Sequence, residues 1–140
     1  MKKIVSTDKA PAAIGPYSQA VQAGQFLFAS GQIPLDPKTG KMVSGSVEDQ
    51  AVCVLENVKG VLEGAGYSLE NVKAILESAS YGLKDVVKTT VFATDMANFA
   101  AVNGVYLRYF GENPPARSFV AVKALPKDAQ VEIEFVAWKA

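Results

Sequence analysis

Apolar and polar residues alternate in several short stretches of the chain, which is the period of a strand with one buried face. The spacing predicts strands over residues 18–23, 26–32, 86–94, 117–123 and 130–138. Gly24 and Gln25 separate the first two stretches, as in a tight hairpin. A Leu-Pro-Lys-Asp turn at residues 125–128 separates the last two.

Two other stretches have the 3.6-residue period of amphipathic helices. The first follows Ser46, a suitable N-cap, and the second follows Asp95, which we expect to cap it. Their apolar stripes are Val47, Ala51, Val54, Leu55, Val58 and Leu62, and Phe99, Val102, Tyr106 and Phe110. Strands mixed with two helices predict one α+β domain over residues 1–140, with both helices packed on one face of a mixed sheet.

The last predicted strand carries information about assembly. Val131, Ile133, Phe135 and Ala137 belong to one face, and Glu132, Glu134, Val136 and Trp138 to the other. If the helices cover the first face, the second exposes a valine and a tryptophan beside two acids. Such a mixed face suits a subunit interface better than open water, although a loop that covers it is the alternative. We expect an oligomer.

A tandem repeat interrupts this simple plan. Residues 55–68 are followed at once by a near copy, residues 69–82, which differs at five of 14 positions. Two copies are too few for a solenoid, so the pattern indicates a duplicated piece of helix. We expect the surplus residues to extend the helix or to loop out near residues 64–68.

Composition restricts the function. Lys plus Arg and Asp plus Glu number 14 each, so no basic excess points to nucleic acid as a partner. No apolar run resembles a signal peptide or approaches the roughly 20 residues of a membrane span, so we expect a cytoplasmic protein that does not bind membranes. Cys53 is the single cysteine and there is no histidine, so we expect no metal site built from thiolate and imidazole, and the thiol is interpreted as structural.

Arg117 is the most informative residue. It follows Pro114 and Pro115, which stiffen its approach, and its guanidinium can bind a carboxylate through two parallel hydrogen bonds. Glu132 follows on the last strand, and without histidine any acid–base chemistry near neutral pH falls to a carboxylate, a phenol, a lysine or water. An arginine anchor with a nearby glutamate is the simplest site that this chain can build. The alternative is a structural ion pair between neighbouring strands.

Read end to end, the chain resembles the RidA/YjgF family of enamine and imine deaminases. The matching stretches are residues 12–20 (AAIGPYSQA), 29–34 (ASGQIP), 86–92 (VVKTTVF), 115–118 (PARS) and 131–134 (VEIE). The resemblance implies a chorismate-mutase-like α+β fold, a homotrimer with ligand clefts between subunits, and hydrolysis of 2-enamine or 2-imino acids to 2-oxo acids and ammonia. It implies no metal or organic cofactor.

The same resemblance assigns roles to residues. It places the carboxylate-binding arginine on Arg117, the water-positioning glutamate on Glu132, and cleft residues on Tyr17, Ser30, Gly31 and Asn103. Phe119 departs from the pattern, because many relatives carry cysteine or a small residue there. On strand geometry Phe119 shares the face of Arg117, so it is expected to narrow the pocket or change substrate size.

The residues also suggest a mechanism. Arg117 would hold the substrate carboxylate, and Glu132 would accept a proton from water that attacks the imine carbon. Tyr17 or Ser30 would fix the water or the leaving nitrogen. Two alternatives stay open: a trimer that binds small carboxylates without turnover, and a scaffold engineered from a family parent by duplicating a helix. The neutral charge and the missing histidine disfavour the ribonuclease activity described for some relatives.

Overall fold

The computed structural model describes residues 1–66 and 82–140. These residues contain six strands and two α-helices. They are β1 (Lys2–Val5), β2 (Ala20–Ala23), β3 (Phe26–Gln32), α1 (Val47–Gly66), β4 (Val86–Ala93), α2 (Phe99–Phe110), β5 (Ala116–Ala121) and β6 (Val131–Trp138). The predicted α+β class is confirmed. β1 is the one strand that the sequence pattern missed, because it is a four-residue edge strand that is mostly exposed.

The strands form one sheet in the order β1-β2-β3-β6-β4-β5. All neighbours are antiparallel except β4 and β5, which α2 connects as a crossover between parallel strands. The last strand in sequence, β6, therefore lies in the middle of the sheet, and β5 lies at its edge. This order decides which predicted site residues can meet.

The helix caps are partly as predicted. The Ser46 hydroxyl accepts the Asp49 N–H at 3.2 Å and the Asp49 carboxylate accepts the Ser46 N–H at 3.0 Å, which forms a capping box at the start of α1. Asp95 does not cap α2. Its carboxylate accepts the Ala97 N–H at 2.8 Å and caps a short 3-10 helix, Met96–Asn98, that precedes α2.

Both helices pack on one face of the sheet. The first repeat copy supplies buried residues of α1, among them Leu55, Val58 and Leu62, as its stripe predicts. The second copy, residues 69–82, lies outside the described residues except for its last glycine. Along β6 the residues at alternate positions from Val131 to Ala137 are buried, which confirms the predicted division of its two faces.

The other face of the sheet is open and carries an apolar patch where β3 pairs with the end of β6. Trp138 pairs with Phe26 and Val136 pairs with Phe28, so these side chains share that face. Phe28 is 49% exposed and Trp138 is 41% exposed. An exposed patch of this kind on a folded chain is typical of a protein interface.

No helix within residues 1–66 or 82–140 is both long and apolar enough to cross a membrane.

Candidate functional site

The predicted site residues fall into two groups. Tyr17, Ser30, Gly31 and Glu132 line one cavity, which we call the acid pocket. Asn103, Arg117 and Phe119 lie together at the β5 edge, where they surround a guanidinium, and we call this group the arginine nest. The structure therefore brings the candidates together in two places rather than one.

The acid pocket has a volume of about 260 Å³ and an apolar rim. Ile14, Ile33 and Pro126 complete its lining beside the predicted residues. None of these three was predicted from the sequence, although Ile14 and Ile33 lie inside two of the motifs that carry the family resemblance. A small ligand with an apolar side chain fits such a lining.

A break in the β3–β6 ladder shapes the pocket floor. Ala29 pairs with Phe135 and Gln32 pairs with Ile133, so Ser30 and Gly31 together oppose one residue of β6. Bulges of this kind redirect side chains and are common beside active sites. Alternation of polar and apolar residues does not reveal this bulge.

Gly31 and Glu132 are in close contact. A Cβ placed on Gly31 would lie 2.8 Å from the Glu132 carboxyl carbon and would overlap its Oε1. The backbone of Gly31 is not in the left-handed region, so the glycine is required for space rather than for conformation. The Glu132 carboxylate thus rests directly on the β3 main chain.

The electrostatic environment favours the protonated form of Glu132. Burial raises the pKa of its carboxyl group, and the neighbouring Glu134 carboxylate raises that pKa further. No hydrogen bond joins Glu132 to any other residue in the part of the chain that the structure describes. A half-buried carboxylate with a raised pKa and no donor is suited to exchange protons with a ligand or water.

Two hydroxyl groups lie beside this carboxylate in the same pocket. The Tyr17 oxygen accepts the Ile14 N–H at 3.3 Å, which leaves the phenolic proton available as a donor. The Ser30 hydroxyl donates to the Ser18 carbonyl at 2.7 Å, so toward a ligand it acts as an acceptor. Toward a ligand in the pocket, Tyr17 can therefore donate a hydrogen bond and Ser30 can accept one.

Buried Gln19 holds the loop that carries Tyr17. Its amide nitrogen donates to the Thr7 and Pro11 carbonyls at 3.0 and 2.8 Å, and its amide oxygen accepts the Thr7 N–H at 2.6 Å. No role was predicted for Gln19 from the sequence. A glutamine directly after the Gly-Pro-Tyr-Ser stretch was the available signal.

Arg117 lies in a nest of aromatic rings and one amide. Its guanidinium carbon is 4.8 Å from the Tyr106 ring centre, 5.4 Å from Phe119 and 5.7 Å from Phe99. Its Nη1 donates to Asn103 Oδ1 at 2.8 Å. Among the described residues no carboxylate pairs with this cation. Its other donors are therefore available to an anionic ligand.

Phe119 shares the face of Arg117, as strand geometry predicts, and its ring packs edge-on against Phe99 at 4.9 Å. It is half-buried and forms part of the wall that supports the guanidinium. Asn103 faces the same cation rather than open water, so its amide oxygen orients Arg117 directly.

The expectation that Arg117 and Glu132 are near each other within the chain is wrong. Arg117 pairs with Thr89 of β4, on the helix-covered face. Glu132 pairs with Phe92 of β4, on the open face. The strands β5 and β6 are two strand spacings apart, and the β4 partners of the two residues are offset by three positions along the strand. The backbones of Arg117 and Glu132 are therefore roughly 14 Å apart. The alternative of an ion pair between neighbouring strands is also wrong, because β4 separates β5 from β6.

Comparison with known proteins gives consistent similarities. The sequence profile of a family described as endoribonuclease L-PSP matches residues 7–72 and 67–139, two segments that overlap inside the repeated stretch. A RutC family protein of Pyrococcus horikoshii is 52% identical over 139 residues, 99% of each chain. Reactive Intermediate Deaminase A of Arabidopsis thaliana chloroplasts is 47% identical, over 97% of this chain and 65% of its own.

The fold has the same relatives. The crystal structure of Escherichia coli TdcF with bound serine superposes with a TM-score of 0.82 at 43% identity, and the match covers 99% of each chain.

Proposed function

This chain belongs to the endoribonuclease L-PSP family, also known as RidA/YjgF, and we propose that it hydrolyses reactive 2-enamine and 2-imino acids to 2-oxo acids and ammonia. One observation carries the proposal. The described chain holds a guanidinium without a carboxylate partner and a half-buried carboxylate without a donor. These are the two groups that binding and hydrolysis of an imino acid need.

We propose that the complete site forms between subunits of a homotrimer. An imino acid of a few carbons cannot span roughly 14 Å or pass through the sheet, so Arg117 and Glu132 of one chain cannot act on one molecule. The acid pocket of one subunit would instead face the arginine nest of the next. The open apolar face, with Phe28 and Trp138, supplies the surface that such an assembly would bury.

Arg117 provides the anchor. Its free donors bind the substrate carboxylate, and the surrounding rings and Asn103 limit the guanidinium to one orientation. Because the anchor fixes the carboxylate, the adjacent imine carbon reaches a defined position over the acid pocket of the neighbouring subunit. Because the substrate is held in this orientation, the attack of water on the imine carbon becomes effectively a reaction within the complex, which lowers its barrier.

Glu132 provides proton transfer. As a carboxylate it accepts a proton from water while the water oxygen bonds to the imine carbon, and it passes that proton to the imine nitrogen, which gives a neutral carbinolamine. Glu132 then takes the proton of the carbinolamine hydroxyl and delivers it to the nitrogen. The carbon–nitrogen bond breaks as the carbon–oxygen double bond forms, and ammonia and the 2-oxo acid leave. Ser30 accepts a hydrogen bond from the nitrogen, and the free Tyr17 proton supports the developing oxygen. A 2-enamine substrate first becomes its imine tautomer, as its β-carbon gains a proton and its nitrogen loses one.

A binding protein without turnover is the competing function, because the arginine nest would bind carboxylates either way. RNA cleavage, which the family description names, is not proposed. The chain has no histidine and equal numbers of acidic and basic residues. Release of product rather than ligand binding therefore distinguishes the functions.

The test is ammonia and 2-oxo acid release from 2-aminoacrylate generated in the assay by a pyridoxal-phosphate lyase. We expect the protein to accelerate release above the spontaneous rate, Arg117→Ala to abolish the acceleration, and Glu132→Gln to remove most of it. A chain that binds a 2-oxo acid and leaves the release rate unchanged would be a binding protein.

Mixing the two impaired variants tests the shared site. Arg117→Ala and Glu132→Gln chains that are refolded together at equal amounts should regain activity, because about a quarter of all interfaces then combine an intact Arg117 with an intact Glu132. A site contained within one chain would regain none.

A further inference from the structure

We infer that the buried hydrogen bond between Thr89 and Tyr106 is a positioning device for the Arg117 anchor, an inference that rests on the proposed function. Neither residue reaches the substrate in this scheme. Thr89 acts through Tyr106, and Tyr106 acts through the guanidinium that it supports. The two are positioning residues rather than catalytic ones.

The position of Thr89 is the first reason. It is fully buried on the helix-covered face of β4, where its neighbours along the strand at alternate positions are Val91 and Ala93. A hydroxyl in that place costs stability unless it is hydrogen-bonded, and valine would have the same shape without that requirement. Its side-chain oxygen lies 2.8 Å from the Tyr106 hydroxyl.

The contacts of Tyr106 are the second reason. Its ring centre is the nearest of the three aromatic centres to the Arg117 guanidinium carbon, at 4.8 Å. The ring also packs on Phe110 at 4.4 Å between centres, and its hydroxyl is held by Thr89. A phenylalanine would keep the ring but lose this fixed point. The hydrogen bond therefore determines where the ring lies beneath the cation.

The sheet register is the third reason. Thr89 is the direct β4 partner of Arg117. Thr89 also bonds to Tyr106, and the Tyr106 ring contacts the Arg117 guanidinium, so the three residues are linked to one another. Asn103 lies one helical turn before Tyr106 on α2, and its side-chain oxygen accepts a hydrogen bond from Arg117 Nη1. The same helix therefore positions the guanidinium through both residues. A shift of the Tyr106 ring would therefore move the guanidinium relative to its amide partner.

Thr89→Val, Tyr106→Phe and the double variant test the device. Each single variant leaves one hydroxyl buried without its partner, and the double variant removes both, so the double variant should recover the stability that the singles lose. The dissociation constant for 2-oxobutanoate, a non-reacting ligand, should rise about fivefold in all three variants. The kcat should stay near the wild-type value, because Glu132 is untouched.

Tyr109→Phe is the matched control. It also removes a tyrosine hydroxyl from α2, one that donates to Glu56 at 2.7 Å, but Arg117 does not contact this ring. We expect unchanged binding of 2-oxobutanoate. The side-chain NMR signal of Arg117 supplies a readout that needs no activity, and faster rotation of the guanidinium is expected only in the Thr89 and Tyr106 variants.

The outcomes separate the two proposals. A double variant with wild-type affinity and an unchanged Arg117 signal would show that the pair only satisfies buried polar groups, which would overturn the inference. A wild-type chain that shows a restrained Arg117 signal without imine hydrolysis would defeat the proposed function and leave the positioning device standing.

Discussion

Gly31→Ala is the sharpest perturbation of the acid pocket, because it adds one methyl group beside Glu132. The backbone of Gly31 accepts an L-residue without strain, so the effect comes from space alone. The added carbon would lie 2.8 Å from the Glu132 carboxyl carbon, whereas ordinary contact begins at 3.4 Å. The carboxyl carbon must therefore retreat by about 0.6 Å, and Oε1, which is closer, must retreat further.

The size of the loss follows from this displacement. A shift on the order of 1 Å in a catalytic group costs about a hundredfold in rate, which corresponds to about 2.7 kcal/mol of transition-state stabilisation. We expect kcat/KM for imine hydrolysis to fall by that factor. Carboxylate binding should change little, because Arg117 lies in the other half of the site.

A double-mutant cycle isolates the cause. Gly31→Ala, Glu132→Gln and their combination are compared by 2-oxo acid release under one set of conditions. If the alanine acts by displacing the carboxylate, the double variant should be little worse than Glu132→Gln alone. If the alanine instead blocks the substrate, the two losses should multiply.

Gly104→Ala is the control for the glycine change. A Cβ at Gly104 meets nothing within 4 Å, and the residue lies on the exposed side of α2, so the variant should keep full activity and gain up to about 1 kcal/mol of stability. A Gly31→Ala protein with more than half of the wild-type kcat/KM would refute the close-contact argument for Glu132.

Three further predictions concern the rest of the molecule. Arg117→Lys should lower kcat/KM by roughly 10- to 100-fold, because an ammonium group cannot make the paired bonds of a guanidinium, and near-normal turnover would exclude the anchor role. Glu132→Gln should raise stability at pH 7, because burial and Glu134 raise the Glu132 pKa above its ordinary 4.5 and its ionisation then costs stability. Denaturant titrations should show this gain disappearing below pH 4.5, and a gain that is independent of pH would contradict that cause. Trp138→Glu should place a charge on the open apolar face and reduce the mass in sedimentation to that of a monomer, whereas an unchanged mass would place the interface elsewhere.

The sequence alone determined most of the local structure. Alternation along β6 assigned its two faces correctly, and helical spacing located the buried residues of α1, because both periods follow from backbone geometry at short range. Ser46 was identified as a cap for the same reason, since its partner Asp49 is three residues away. The motifs also contain the four acid-pocket residues Tyr17, Ser30, Gly31 and Glu132, and Arg117 of the arginine nest.

Only the tertiary structure decided how those residues combine. Strand order depends on contacts between distant segments, so no local pattern could show that β4 lies between Arg117 and Glu132 or that the two occupy opposite faces. The same holds for Gly31, whose need for space appears only when β6 places Glu132 against it. The resemblance placed Asn103 in a cleft, but only the position of α2 beside β5 shows that its amide orients a guanidinium. Local periodicity fixes which face a side chain takes, whereas the fold fixes what that face meets.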